Sequence, residues 1–307
     1  MTKVREELMV PKADFGTYYG RPILKEPTWK AADIAGYFFA GGLAGGSSLL
    51  AAAADLSGST ALRRAARFGA VGGLGFSLAA LVHDLGRPGR FLNMLRVAKP
   101  TSPMSMGSWL LTAYAPLAAL AAGTEIVRPP AGSWVGRAAG LGAAGLGAGV
   151  ATYTSVLIAD TAVPSWHDGY RVLPVLFAGS SAASAGGLGL LTSPSCQAGG
   201  ARLFGVAGAV TELVAAHRIE HAERLSAEPY RSGRAGRLMT AARIATAIGA
   251  VGSAAVARRS RTAAILSGAA LMAGSALTRF GVFEAGVAST RDPKYVVVPQ
   301  RGRDGDR

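Results

Sequence analysis

Apolar residues in this chain do not alternate with charges turn by turn. They run on for about 20 residues at a time, in stretches of Ala, Gly, Leu and Val almost free of charge. A helix rising about 1.5 Å per residue needs about 20 residues to cross ~30 Å of hydrocarbon. The pattern predicts eight transmembrane helices, over Asp33–Ala54, Ala65–His83, Gly107–Ile126, Gly136–Ile158, Val172–Leu191, Gly199–Ala216, Met239–Val256 and Thr262–Phe280. Lipid offers the backbone no hydrogen-bond partner, so the expected fold is an all-α, polytopic membrane bundle. Its parts are an N-terminal tail (1–32), an eight-helix domain (33–281) and a C-terminal tail (282–307). An even number of spans puts both tails on one side, together with the loops after spans two, four and six.

Composition agrees: 50% of residues are hydrophobic, only 16% are charged and the mean hydropathy is +0.30. A soluble helical bundle would need charges on every exposed turn, yet Gly136–Ile158 offers only Arg137, at its edge. The net charge of +14 raises nucleic acid as a partner, but the basic residues sort by loop, which nucleic-acid binding does not explain. Assigned loop by loop, 22 of the 32 Lys and Arg fall on the terminal side and 9 on the other, with Arg243 inside span seven. By the positive-inside rule both termini are expected in the cytoplasm, and the chain in the plasma membrane. The first 32 residues carry six of these cations and no apolar h-region, so no secretory signal peptide is expected. Span one would direct insertion, its start marked by Pro27 and the interfacial Trp29.

The ligand inventory narrows the chemistry. A single cysteine, Cys196, cannot hold an iron–sulfur cluster, which takes about four thiolates. A di-haem anchor needs four axial histidines at matched depth, and the four here, His83, His167, His217 and His221, lie at span ends or in loops. No haem or cluster is therefore expected in this chain, and no metal: His217 and His221, spaced i,i+4, sit among Arg218, Glu220, Glu223 and Arg224 as on a hydrated helix end. Close-spaced glycines, Gly41, Gly42, Gly45 and Gly46 in span one and Gly140 to Gly149 in span four, predict tight packing with both helices interior.

Few polar groups remain at membrane depth. Asp33 and Tyr37 share a face at the start of span one, Tyr153 lies toward the same leaflet in span four, and His83 and Asp84 end span two. Together they offer donors and acceptors at headgroup depth, as a quinone carbonyl requires while its tail stays in lipid. The competing reading makes Tyr37 an interfacial aromatic and His83–Asp84 a helix end. Deeper, Glu212 in span six and Arg243 in span seven suggest either a mutual pair or a proton path.

The most distinctive string follows span two: His83-Asp84-Leu85-Gly86-Arg87-Pro88-Gly89-Arg90-Phe91, then Pro100-Thr101-Ser102-Pro103-Met104-Ser105-Met106-Gly107-Ser108-Trp109. Residues 88–98, if helical, separate Phe91, Leu92 and Leu95 from the arginines and suit a segment lying on the membrane surface. These elements, with Gly41-Gly42-x-x-Gly45-Gly46, Tyr153-Thr154 and the tail Asp292-Pro293-Lys294-Tyr295, resemble the membrane subunits of the NrfD and polysulfide reductase type.

The resemblance implies a haem-free, quinone-reactive membrane anchor. It would pass electrons between the menaquinone pool and a four-cluster, ferredoxin-like iron–sulfur subunit that serves a molybdopterin catalytic subunit. Residue by residue it matches Tyr153 to the family's quinone-contacting tyrosine, with Asp33 and Tyr37 as the polar pair of span one. Arg87, Arg90, Pro100, Ser102, Pro103, Met104 and Trp109 then form the partner-docking loop, and the charge count places the partner in the cytoplasm. Two other classes stay open: a secondary transporter with Glu212 and Arg243 lining its path, and a passive anchor that never touches quinone.

Overall fold

A computed structural model describes residues 23–84, 88–127 and 132–304. Every regular element among them is helical. Eight helices are long and apolar enough to cross a membrane. They are α1 (Ala31–Leu56), α2 (Thr60–Asp84), α3 (Pro103–Val127), α4 (Gly132–Ala159), α6 (Leu173–Thr192), α7 (Gly199–Glu220), α9 (Gly233–Ala255) and α10 (Arg261–Arg291). Short helices α5 (Pro164–Asp168), α8 (Glu228–Arg231) and α11 (Lys294–Asp304) connect or follow them, and Pro88–Leu95 forms a 3₁₀ stretch. The surface helix expected over residues 88–98 is thus this shorter, tighter turn.

α1 is the axis of the bundle. It packs on α2, α4, α6 and α10, and 83% of its apolar window is buried. Its glycines permit this: a Cβ at Gly45 would collide with Gly147 O of α4, and one at Gly46 with Ser181 O of α6. The second interior helix is α6, with 67% of its window buried, and not α4, where the figure is 44%. Span four's glycines therefore build one close contact with α1, while its other face carries exposed Leu141 and Val156.

The largest departure from the hydropathy pattern is α10, which continues from Phe280 to Arg291. Arg279 and Glu284 break the apolar run, so the pattern stops short of a helix whose last turns are nonetheless buried. Trp166 of α5 fills the space beside Gly286, donates its indole N–H to Val282 O at 2.8 Å and stacks on Trp29 at 6.2 Å. Arg279, assigned by the loop count to the C-terminal tail, and Arg67, assigned to the loop after span one, are buried inside α10 and α2, which leaves 21 basic residues on the terminal side against 8.

Candidate functional site

Four helix ends meet at the terminal side of the bundle: the starts of α1 and α3 and the ends of α2 and α4. The sequence brings them together through the close α1–α2 and α3–α4 packing, and Met94 from the 3₁₀ stretch closes the gap. Between them lies a pocket of about 110 Å³, lined by Tyr37, Asp84, Met94, Met104, Gly107 and Tyr153 among others.

Tyr37 and Tyr153 meet edge to face, with ring centroids 6.3 Å apart at 77°. Gly107 supplies the clearance, because a Cβ there would lie 2.5 Å from Tyr153 Cε2. The Tyr153 hydroxyl is buried and has no hydrogen-bond partner. Such an orphaned group carries a desolvation cost of about 1–3 kcal/mol unless a ligand or water completes it. Asp33 and His83 stand beside the pocket rather than in its wall. The Asp33 carboxylate pairs with His83 Nδ1 at 2.9 Å, and the imidazole is largely exposed. The site therefore combines apolar aromatic walls, the unpartnered Tyr153 hydroxyl and the Asp84 carboxylate, with an Asp33–His83 pair open to water beside them.

These features fit the edge of a quinone ring. A cavity of ~150 Å³ holds benzene, so about 110 Å³ admits part of one ring rather than a whole naphthoquinone. Met94 and Met104, unbranched and flexible, line the same pocket and can yield to a larger group.

Of the residues singled out by sequence, Tyr37, Asp84, Met104 and Tyr153 line one pocket, with Asp33 and His83 adjoining. The loop between α2 and α3 is ordered by its serines: Ser105 Oγ donates to Val97 O at 2.8 Å and accepts from Lys99 N–H, and Ser102 Oγ accepts from Ser105 N–H. Pro100 lies on this loop's exposed surface, Pro103 opens α3, and Trp109 directs its indole N–H toward Val97 O. Arg90 falls in the 3₁₀ stretch, whereas Arg87 lies outside the described residues.

The proposed pairing of Glu212 with Arg243 is corrected. Arg243 pairs with Glu220 at 2.9 Å, about two helical turns from Glu212 at the C-terminal end of α7. Glu212 instead accepts from Thr278 Oγ1 at 2.6 Å, next to the buried Arg279 of α10. Sequence reasoning missed Arg279 and Gly107. The first was masked by its position at the end of an apolar window. The second stood inside the quoted loop string without a stated reason.

The NrfD family model, described as Polysulphide reductase, NrfD, matches residues 25–198. The chain belongs to the NrfD family. No curated protein matches it. The matched segment contains α1 to α6 and so the whole pocket, while Glu212 and Arg279 fall beyond it. NrfD proteins are multi-pass membrane subunits of quinone-linked oxidoreductase complexes and partner with iron–sulfur and catalytic subunits.

Proposed function

We propose that this NrfD chain binds menaquinone or its quinol in the Tyr37–Tyr153 pocket. It exchanges electrons with a multi-cluster, ferredoxin-like iron–sulfur partner docked over the loop between α2 and α3, which connects to a molybdopterin catalytic subunit. The observation that carries this reading is the buried, unpartnered hydroxyl of Tyr153, a residue that lines a pocket walled by aromatic and thioether groups. The distribution of Lys and Arg supports cytoplasmic termini and a cytoplasmic partner in the plasma membrane.

Oxidation of a quinol to a quinone releases two electrons and two protons; the electrons leave one at a time to the partner's clusters. Tyr153 Oη donates to one quinone oxygen and fixes the ring's position. Asp84 at the mouth accepts a proton, and the exposed His83, held by Asp33, hands protons to water. Met94, Met104 and the two tyrosine rings keep bulk water from the reacting edge.

The test is Tyr153→Phe in the assembled complex. Loss of one hydrogen bond to the reacting oxygen is expected to slow quinol oxidation about tenfold, as ~1.4 kcal/mol does, while partner copurification stays intact. Wild-type quinone kinetics in that variant would overturn the assignment. A passive anchor would show no quinone-dependent reduction even in the wild type.

A further inference from the structure

At the opposite end of the domain from the quinone pocket, where α1 and α3 end and α2 and α4 begin, lies a cavity of about 970 Å³. Four guanidinium groups line it, Arg63, Arg64, Arg67 and Arg137, against two carboxylates, Asp55 and Glu125. The carboxylates are already committed. Glu125 takes Arg63 at 2.7 Å and Arg67 at 3.0 Å, and Asp55 takes Arg63 at 3.0 Å and Arg137 at 3.2 Å. Two positive charges are left uncompensated among these six groups, and Arg64 lies over the Phe68 ring instead of on a carboxylate.

The floor of this cavity is built rather than incidental. Arg67 is only 6% exposed, seven residues into α2, which is about 10 Å of helix. Its Nη1 donates to Ala121 O and Nη2 to Gly136 O, at 3.3 and 2.9 Å. A Cβ at Gly140 of α4 would come within 3.0 Å of Nη2, so α4 keeps a glycine where the guanidinium lies flat. Its Nε is buried with no acceptor. An unsatisfied donor of a charged group at this depth calls for an anion. The first turn of α2 is not what would hold it, since Ala61 N–H is taken by Gln197 Oε1 at 2.8 Å.

The same cavity reaches Ala65 and the exposed Phe68, an apolar ledge on the outer face of α2. A cationic floor beside an apolar ledge suits a ligand with an anionic head and a hydrocarbon body. We propose that this cavity is a binding site for a phosphate ester, with Arg64, Arg67 and Arg137 as its ligands. The ledge favours the head group of an anionic phospholipid over a water-soluble phosphate. The site is separate from the quinone pocket and stands whether or not that pocket binds quinone.

Delipidated full-length protein in detergent is titrated with phosphatidylglycerol, phosphatidylcholine and inorganic phosphate, with bound lipid counted by native mass spectrometry and binding followed by thermal shift. Phosphatidylglycerol is expected to bind about tenfold more tightly than phosphatidylcholine, the equivalent of one charge-assisted contact. That preference is expected to vanish in Arg64→Gln/Arg137→Gln and to be retained in Arg64→Lys. Both replaced arginines are exposed, and Asp55 keeps Arg63, so the double variant is expected to fold. Saturable stabilisation by inorganic phosphate without lipid preference, lost in the same variant, supports the phosphate site and assigns it to a soluble ligand. Equal binding of the two lipids with no phosphate response, or an unchanged preference in the double variant, overturns it.

Discussion

Gly107→Leu is expected to weaken quinone binding by the assembled complex about 10- to 100-fold while leaving its subunits together. The reason is steric. A Cβ at Gly107 would stand 2.5 Å from Tyr153 Cε2 and 2.8 Å from Cδ2, closer than side chains tolerate. Alanine alone must push the ring, and leucine adds three more carbons aimed into about 110 Å³ of pocket. Overpacking of this kind costs ~1–3 kcal/mol, which becomes a loss of about 10- to 100-fold in affinity if the ring no longer fits. Steady-state quinol oxidation across a quinol series, with partner copurification as the control, reads the effect. Unchanged KM and kcat in Gly107→Leu would show that the reacting ring sits elsewhere.

Arg279→Met is expected to destabilise the membrane domain by about 1–3 kcal/mol, the usual consequence of stripping buried acceptors of their donor. Arg279 is fully buried, lies 3.7 Å over the Phe177 ring, and donates to Phe177 O at 2.8 Å and Ser181 Oγ at 2.9 Å. Its removal strips those two acceptors of this donor and takes a neighbouring positive charge away from Glu212, itself 1% exposed, which keeps its hydrogen bond from Thr278. Adding Glu212→Gln is expected to recover much of the loss, because the remaining group is then neutral. Thermal unfolding in detergent of the two single variants and the double measures the coupling. Strict additivity would mean that the two residues do not sense one another.

The repeated apolar runs made the eight spans legible because the bilayer leaves a chain of this composition few alternatives. Their ends were less legible, since helices extend past the hydrocarbon wherever neighbouring protein buries them. α10 is the clear case: Trp166 and Trp29 cover turns that hydropathy assigns to a tail. Glycine spacing marked where α1 and α4 touch but not how much of α4 remains on the outside, because small residues report one contact and not the opposite face. The site residues came together through i,i+4 placement at shared depth, which linear sequence encodes. The Glu212 environment did not, because which of two antiparallel neighbours supplies the cation depends on helix rotation. Packing gave Arg243 to Glu220 and set Glu212 against Thr278 of α10, beside Arg279.

Photolabelling addresses the central claim directly. Wild-type complex is irradiated with a photoreactive naphthoquinone, and the modified peptides are identified by mass spectrometry. Labelling confined to the peptides bearing Tyr37, Met94, Met104 or Tyr153, displaced by menaquinone and lost in Gly107→Leu, is the expected result. Displaceable labelling elsewhere in the chain, undiminished by Gly107→Leu, would contradict the account.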